Sequence, residues 1–254
     1  MRAEQTAPRV LLLQIRDDPR VRQEELDSFV RFSGLAAEQI DVLNVFDTPR
    51  FSPTVIQDYD SLFVGGASEA SVLEPETYGF LPPSFDLLNH CLIKEIPVFA
   101  SCFGFQLAVV ALGGRLVKDK VDYEMGTIPI SLTPAANEDP VFAGTAEGFR
   151  AVSVHKERAP DLPESCELLA YTTACPHAFR VKGKPFWAFQ FHPEVDKATL
   201  IERLTIFSAG YTEGRDHLQE VLAAIEETPE SNQLLGNFVQ RVLLNDRYLD
   251  HRKH

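Results

Sequence analysis

The stretch from Pro97 to Gly114, PVFASCFGFQLAVVALGG, constrains the fold more than any other part of the chain. Val98 to Ala100 form an uncharged apolar run of the kind that fills a buried parallel strand, and beyond Cys102 the apolar residues fall at helical spacing, at Phe105, Val109 and Leu112. A strand therefore passes straight into a helix, with Cys102 on the corner. A side chain there is held out from the end of the sheet, and the first helical turn directs its unpaired N–H groups and positive dipole end back at it. Both effects favour thiolate, the nucleophilic form of cysteine.

What precedes this corner alternates regularly. Arg9 to Gln14 predicts a first buried strand, Val21 to Ser33 a helix ended by Gly34, and Asp41 to Phe46 a second strand closed by Asp47-Thr48-Pro49. Ser61 to Val64 predicts a third strand that runs into Gly65-Gly66, and Ser84 to Lys94 a second helix. Such alternation predicts a parallel sheet wound by right-handed crossovers, with Cys102 at the carboxyl end of the fourth strand. Glycines just past a strand end leave N–H groups unshielded at the edge where open α/β sheets bind ligands, although a plain turn explains the pair equally well.

After Gly113 the texture changes to short alternating segments: Arg115–Val117, Gly126–Leu132, Glu167–Tyr171, Ala178–Val181 and Phe186–Phe191. Turn residues separate them, which predicts a mostly antiparallel region. Val141–Gly144 and the polar Val154-His155-Lys156-Glu157 lie between. Beyond Val195, three amphipathic helices are expected, at Ala198–Phe207, His217–Glu227 and Leu234–Leu244, followed by a charged, frayed end from Asp246 to His254.

The expected fold class is thus α/β: a doubly wound, mainly parallel sheet with a smaller antiparallel sheet and extra C-terminal helices. We read the 254 residues as one domain. The formal charge of -13 offers no basic patch for phosphates and argues against a nucleic-acid partner. Val10 to Leu13 is too short for the apolar core of a signal peptide, and no run approaches the ~18 residues of a membrane span. Cys91, Cys102, Cys166 and Cys175 contain no C-x-x-C pair, which fits reduced thiols in a cytoplasm better than disulfides or a zinc site.

A nucleophilic Cys102 needs a base, and the base needs an orienting partner. Residues i and i+2 of an extended segment share a side, so His192 and Glu194 can face one site, and Pro193 excludes a helix between them. Imidazole can then accept the thiol proton through one nitrogen while the carboxylate holds the other. Taken singly, a cysteine in an apolar run is usually a small hydrophobe and a lone histidine a surface or core residue. His90, His177, His217, His251 and His254 have no such context, and His155 is ambiguous.

Two motifs change that weighting: Cys-x-Gly-x-Gln at Cys102, Gly104 and Gln106, and Gln-Phe-His-Pro-Glu at Gln190 to Glu194, about 90 residues on. With them the chain resembles the class I (triad) glutamine amidotransferases from about Arg9 to Val195, and again at Gly236 to Val239. The resemblance implies a flavodoxin-like fold and no cofactor. It makes Cys102 the nucleophile towards a γ-carboxamide, His192 the general base and acid, and Glu194 its orienter. It puts the backbone N–H groups of Gly66 and Phe103 in an oxyanion hole. Gly65, Gln106 and the loop Val154, His155 and Lys156 would bind the amino-acid end of the substrate, and Glu124-Met125-Gly126 reads as structural.

Ser101 and Lys156 stand where many members carry glycine, and Lys156 would narrow or re-charge the pocket. No nucleotide motif accompanies the glutaminase pattern, so a synthase half would be a separate polypeptide. About 198–232 reads as a helical insertion before the closing helix, whose Leu218, Val221, Leu222 and Ile225 must bury against something. The expected activity is hydrolysis of a γ-glutamyl amide through a thioester on Cys102, with glutamine as the first substrate. The alternatives are a γ-glutamyl peptide or amine hydrolase and a non-catalytic binding module of the same fold.

Overall fold

The computed structural model describes residues 7–118, 124–206 and 222–245. Four strands come first, β1 (Val10–Gln14), β2 (Ile40–Asn44), β3 (Ser61–Val64) and β4 (Val98–Ser101), with helices α1 (Pro19–Ser33), α2 (Leu81–Lys94) and α3 (Phe103–Ala111) among them. The second half contributes β5 (Val117–Lys118), β6 (Glu124–Pro129), β7 (Ser131–Leu132), β8 (Arg150–His155), β9 (Glu157–Arg158), β10 (Cys166–Tyr171), β11 (Pro176–Val181) and β12 (Phe186–Phe189). Helices α4 (Lys197–Ile206) and α5 (Pro229–Phe238) follow, α5 running into a π-turn at Val239–Leu243.

Eight strands make the main sheet in the order β2-β1-β3-β4-β12-β11-β10-β7. The pairings from β2 to β12 are parallel, and those from β12 through β11 and β10 to β7 are antiparallel. The last long strand, β12, is therefore parallel to β4 on one side and antiparallel to β11 on the other, which brings Phe189 level with Ser101. That register sets the His-Pro-Glu segment beside the Cys102 corner. Small antiparallel pairs, β5–β9 and β6–β8, complete the wall above it.

Alternation along the central strands divides the core in two. Leu11, Leu13, Leu62, Val64, Val98 and Ala100 pack with Leu87, Leu88, Phe105 and Leu107 of α2 and α3. On the opposite face, Leu12, Phe63, Phe99, Trp187 and Phe189 pack with Phe29 of α1 and Phe238 of α5. Helices thus cover both faces, the doubly wound arrangement expected. Ring centroids of Phe99 and Phe189 lie 4.5 Å apart, and Phe238 meets Phe99 at 5.4 Å. Each such buried ring contributes roughly 1.5–3 kcal/mol through removal from water, so the strands carrying the site rest on a rigid base. The chemistry of the termini fixes α1: the Asp18 side chain accepts the Arg20 N–H at 2.8 Å, Pro19 stands in the first turn, and Gly34 closes the helix at φ 71°.

Three expectations needed revision. The segment Gly126–Leu132 is two strands in different sheets, divided at buried Ile130, whose N–H bonds Phe149. The polar stretch at 154–157 is the end of β8 and the start of β9, with only Lys156 between them. The closing helix starts earlier than Leu234, because Pro229 suits a first helical turn. Of the helix expected at His217–Glu227, residues 217–221 lie outside the described residues and 222–224 are helical. Ile225 is buried with Val152, Val195, Leu200 and Leu204, and Leu222 packs against the same group, whereas Leu218 and Val221 lie outside the described residues. The charged end from Asp246 also lies outside them. Among the described residues no helix is long and apolar enough to cross a membrane.

Candidate active site

Cys102 occupies the corner between β4 and α3 at φ 50°, ψ −98°, a conformation that L side chains rarely adopt. Such strain persists only where the surroundings over-determine it. Here the Cys102 N–H donates to Phe189 at 2.7 Å, while its carbonyl accepts the Gln106 N–H at 3.1 Å. The turn also requires Gly104, where a Cβ would stand 2.9 Å from the Val64 carbonyl oxygen. Sγ lies 3.8 Å from the carbonyl oxygen of Val154.

Beyond the end of β12, the His192 N–H bonds the Val152 carbonyl at 2.8 Å. Nδ1 lies 2.7 Å from Glu194 Oε1, and both side chains are buried. Burial by itself would lower the His192 pKa, but Cys102 and Glu194 together outweigh it and hold the imidazole at about 9. Burial likewise opposes ionisation of Glu194, yet His192 keeps its carboxyl below the usual range. The arrangement is a buried carboxylate, an imidazole that retains a proton at neutral pH, and a sulfur on a strained turn, in that order. Elsewhere, burial pushes the Cys91 thiol far up and that of Cys166 up to about 11.

A cleft of about 780 Å³, including its open mouth, adjoins Cys102. Phe103, Gln106, Val154, His155 and Lys156 line it, and so do Lys118, Glu69, Glu74 and Glu157. Gln106 Nε2 donates to the Glu157 carbonyl at 3.0 Å. Gly65 is not in the cleft wall; a Cβ on it would stand 2.7 Å from Glu25 Oε1. Gly66 lies against His192, since a Cβ there would be 2.8 Å from the ring Cε1, but its N–H donates to Glu25 Oε1 at 3.2 Å. Ser101 is buried and its Oγ has no hydrogen-bond partner.

The Glu25 contact belongs to a feature that sequence reasoning missed. Arg16, just past β1, and Glu25, on the buried face of α1, pair at 2.9 Å under the Gly65-Gly66 turn, and both are essentially inaccessible. Burial pushes the Glu25 pKa up, with Arg16 opposing it. The available signal was an acid at a core-facing position of an amphipathic helix. Glu124, read as structural, also has a specific setting: its carboxylate bonds His155 and His177, at 2.9 and 2.7 Å.

Comparison with known proteins bears on the family and the fold. The sequence profile of a family described as "Glutamine amidotransferase class-I" matches residues 49–205. The chain is similar to the glutamine-hydrolysing GMP synthase of Thermotoga petrophila, 32% identical over 108 residues, which is 42% of this chain and 20% of that protein. It is also 29% identical over 119 residues to one subunit of the glutamine-hydrolysing GMP synthase of Methanocaldococcus jannaschii, covering 44% of this chain and 61% of that one. The matched parts are thus less than two thirds of these relatives' lengths. Among solved structures, a Thermotoga maritima glutamine amidotransferase superposes with a TM-score of 0.73 at 20% identity, over 97% of this chain and 100% of that chain. One from Methylobacillus flagellatus gives 0.71 at 18% identity, over 97% and 96%. These two likenesses concern the fold.

Proposed function

The chain belongs to the class I glutamine amidotransferases, and from that premise we propose that it hydrolyses a γ-glutamyl amide bond, with glutamine as substrate and Cys102, His192 and Glu194 as its catalytic residues. The observation that carries the reading is the strained Cys102 corner facing the buried His192–Glu194 pair. In the proposed reaction Cys102 Sγ, its proton held by His192, attacks the γ-carbonyl carbon. The oxyanion takes hydrogen bonds from the Phe103 N–H, at the first turn of α3, and from the Gly66 N–H, which exchanges its Glu25 contact for the substrate. His192 then gives its proton to the leaving nitrogen, the C–N bond breaks, and ammonia departs from a γ-glutamyl thioester. Water, deprotonated by His192, attacks that thioester; the C–S bond breaks, glutamate leaves and the thiol is restored.

The cleft supports an amino-acid substrate through its mixed charge. Lys118 and Lys156 suit an α-carboxylate, and Glu157 with Gln106 suits an α-amino group, with His155 in the wall beside them. Ammonia would pass to a separate synthase polypeptide, a reading supported by the likeness to one subunit of a GMP synthase. A longer γ-glutamyl amine is the second reading, favoured by Glu69 and Glu74 on the cleft wall, which would accept a cationic leaving amine.

Purified protein incubated with glutamine and a panel of γ-glutamyl amines and peptides should release glutamate, and Cys102→Ala should abolish the release. Glutamate formed at an undiminished rate by Cys102→Ala would refute the mechanism. No turnover of any compound, with Cys102 no more reactive to a glutamine-like electrophile than Cys91 or Cys166, would favour a binding module.

A further inference from the structure

Behind the wall of the Cys102 cleft, and reaching it through His155, one group of metal-ligating side chains stands out among the described residues: Glu124, His155, Cys175 and His177, with one ligand atom of each lying within 4.8 Å of all the others. Glu124 opens β6 and is the direct cross-strand partner of His155 at the end of β8. Cys175 immediately precedes β11 and His177 is its second residue, so the two share a side of an extended segment. His177 is completely buried, and His155 and Cys175 are nearly so. The four side chains come from three strands in two sheets, which is why no sequence spacing marks them.

Three groups converge on a single oxygen, Glu124 Oε2: His177 Nε2 at 2.7 Å, His155 Nε2 at 2.9 Å and Cys175 Sγ at 3.9 Å. On its other side, His155 Nδ1 lies 3.1 Å from the Glu157 carbonyl oxygen. A carbonyl only accepts, so Nδ1 carries the hydrogen; when the ring holds that hydrogen alone, its Nε2 lone pair is directed at a carboxylate oxygen that also has only lone pairs. A divalent ion between them satisfies both, with Glu157 as the outer-shell partner that fixes the ring. The His177 ring has no protein partner on Nδ1 to pin it. Ligand atoms around tetrahedral zinc stand roughly 3.3–3.8 Å apart, from bonds of about 2.0–2.3 Å. The carboxylate would thus withdraw by about half an ångström, and the most widely spaced of the four atoms, up to 4.8 Å apart, would close by about 1 Å.

We propose that Glu124, His155, Cys175 and His177 form a four-ligand site for one zinc ion that fastens β6, β8 and β11 together behind the substrate cleft. Two imidazoles, a thiolate and a carboxylate form a borderline-soft donor set that favours zinc over hard cations, and four protein ligands leave no open position for a substrate. The role is therefore structural, but it reaches the cleft. His155 lines it, and the Glu157 carbonyl that orients His155 also accepts from Gln106. Binding deprotonates Cys175 and displaces the direct contacts of the carboxylate with the two rings.

The test uses the full chain, stripped with a chelator, loaded with equimolar zinc or cobalt(II) and desalted. The expected result is one ion per chain, with cobalt giving the d–d bands of a four-coordinate ion and a thiolate-to-cobalt charge-transfer band. That band should vanish in Cys175→Ser and persist in Cys102→Ala. Should Cys175→Ser fail to fold, the wild-type protein decides: zinc should protect Cys175, but not Cys166, from alkylation in mild urea, as read by peptide mass spectrometry. Loss of the ion on desalting, a charge-transfer band that depends on Cys102 instead, or equal alkylation of Cys175 with and without zinc would overturn the proposal.

Discussion

Gly66→Ala offers a sharp test of how the site is held. A methyl carbon at this position would stand 2.8 Å from His192 Cε1 and 2.8 Å from Arg16 Nη2, whereas an unstrained carbon contact needs roughly 3.5–4.0 Å. Neither neighbour is a loose end. Arg16 is held by Glu25 and Ser68, each at 2.9 Å, and His192 by Glu194 at 2.7 Å and by its own backbone bond to Val152. Relief therefore displaces the imidazole or the ion pair by on the order of 1 Å, an overpacking that costs about 1–3 kcal/mol of stability. A displacement of that size between reacting groups lowers kcat on the order of 100-fold. Gly79→Ala is the matched control, because nothing lies within 4 Å of its added carbon. The assays are urea unfolding, glutamate release, and the rate of Cys102 alkylation, which needs no substrate. Wild-type alkylation and turnover in Gly66→Ala, with unchanged stability, would refute the claim that this glycine sets the ring position.

Two further outcomes are expected. The His192 pKa is raised from 6.5 to about 9 in the folded protein, so its contribution to stability is complete below pH 6.5 and is lost as the pH rises through about 9; urea midpoints measured across that window should fall in the wild type and show a weaker slope in His192→Gln. Arg16→Leu should destabilise by about 3–5 kcal/mol in urea unfolding, because it strands the buried Glu25 carboxylate, and a loss below about 1 kcal/mol would show that water reaches that carboxylate.

Much of this arrangement was legible along the chain because it rests on local patterns. Ser61–Val64 is the strand expected, and the Cys102 corner follows from a continuous apolar run that gives way to helical spacing within a few residues. His192 and Glu194 share a side because the chain is extended there, a property of two positions rather than of the fold. What escaped was tertiary. Glu25 stands at core-facing spacing between Val21 and Phe29, but its partners, Arg16 and the Gly65-Gly66 turn, come from other parts of the chain. Cys175 and His177 lie about 50 residues from Glu124, and only the approach of β11 to the β6–β8 pair joins them. The strand β8 escaped for a related reason: among the described residues it pairs only with β6, and Val152 is buried by Val195 and Leu200, which come from a later part of the chain.

The polar groups behind the site have a common design. Buried ion pairs such as Arg16–Glu25 are poor sources of stability, because desolvation of both charges offsets most of their attraction, and an apolar pair of similar volume would often be more stable. Their value lies in direction. Arg16 has two fixed partners and Glu25 reaches the Gly66 N–H, so a charge network on one side of His192 sets the turn where an oxyanion would form. On the far side of Cys102, the Glu157 carbonyl joins Gln106 to His155, and Glu124 joins His155 to His177. The aromatic layer of Phe63, Phe99, Phe189 and Phe238 beneath supplies the stability that both networks consume. A strained cysteine can persist between them because its backbone is tied to β12 at 2.7 Å and to α3 at 3.1 Å. Relaxing Cys102 to an ordinary conformation would break those bonds and draw Sγ away from His192, so the strain and the placement of the sulfur are one constraint.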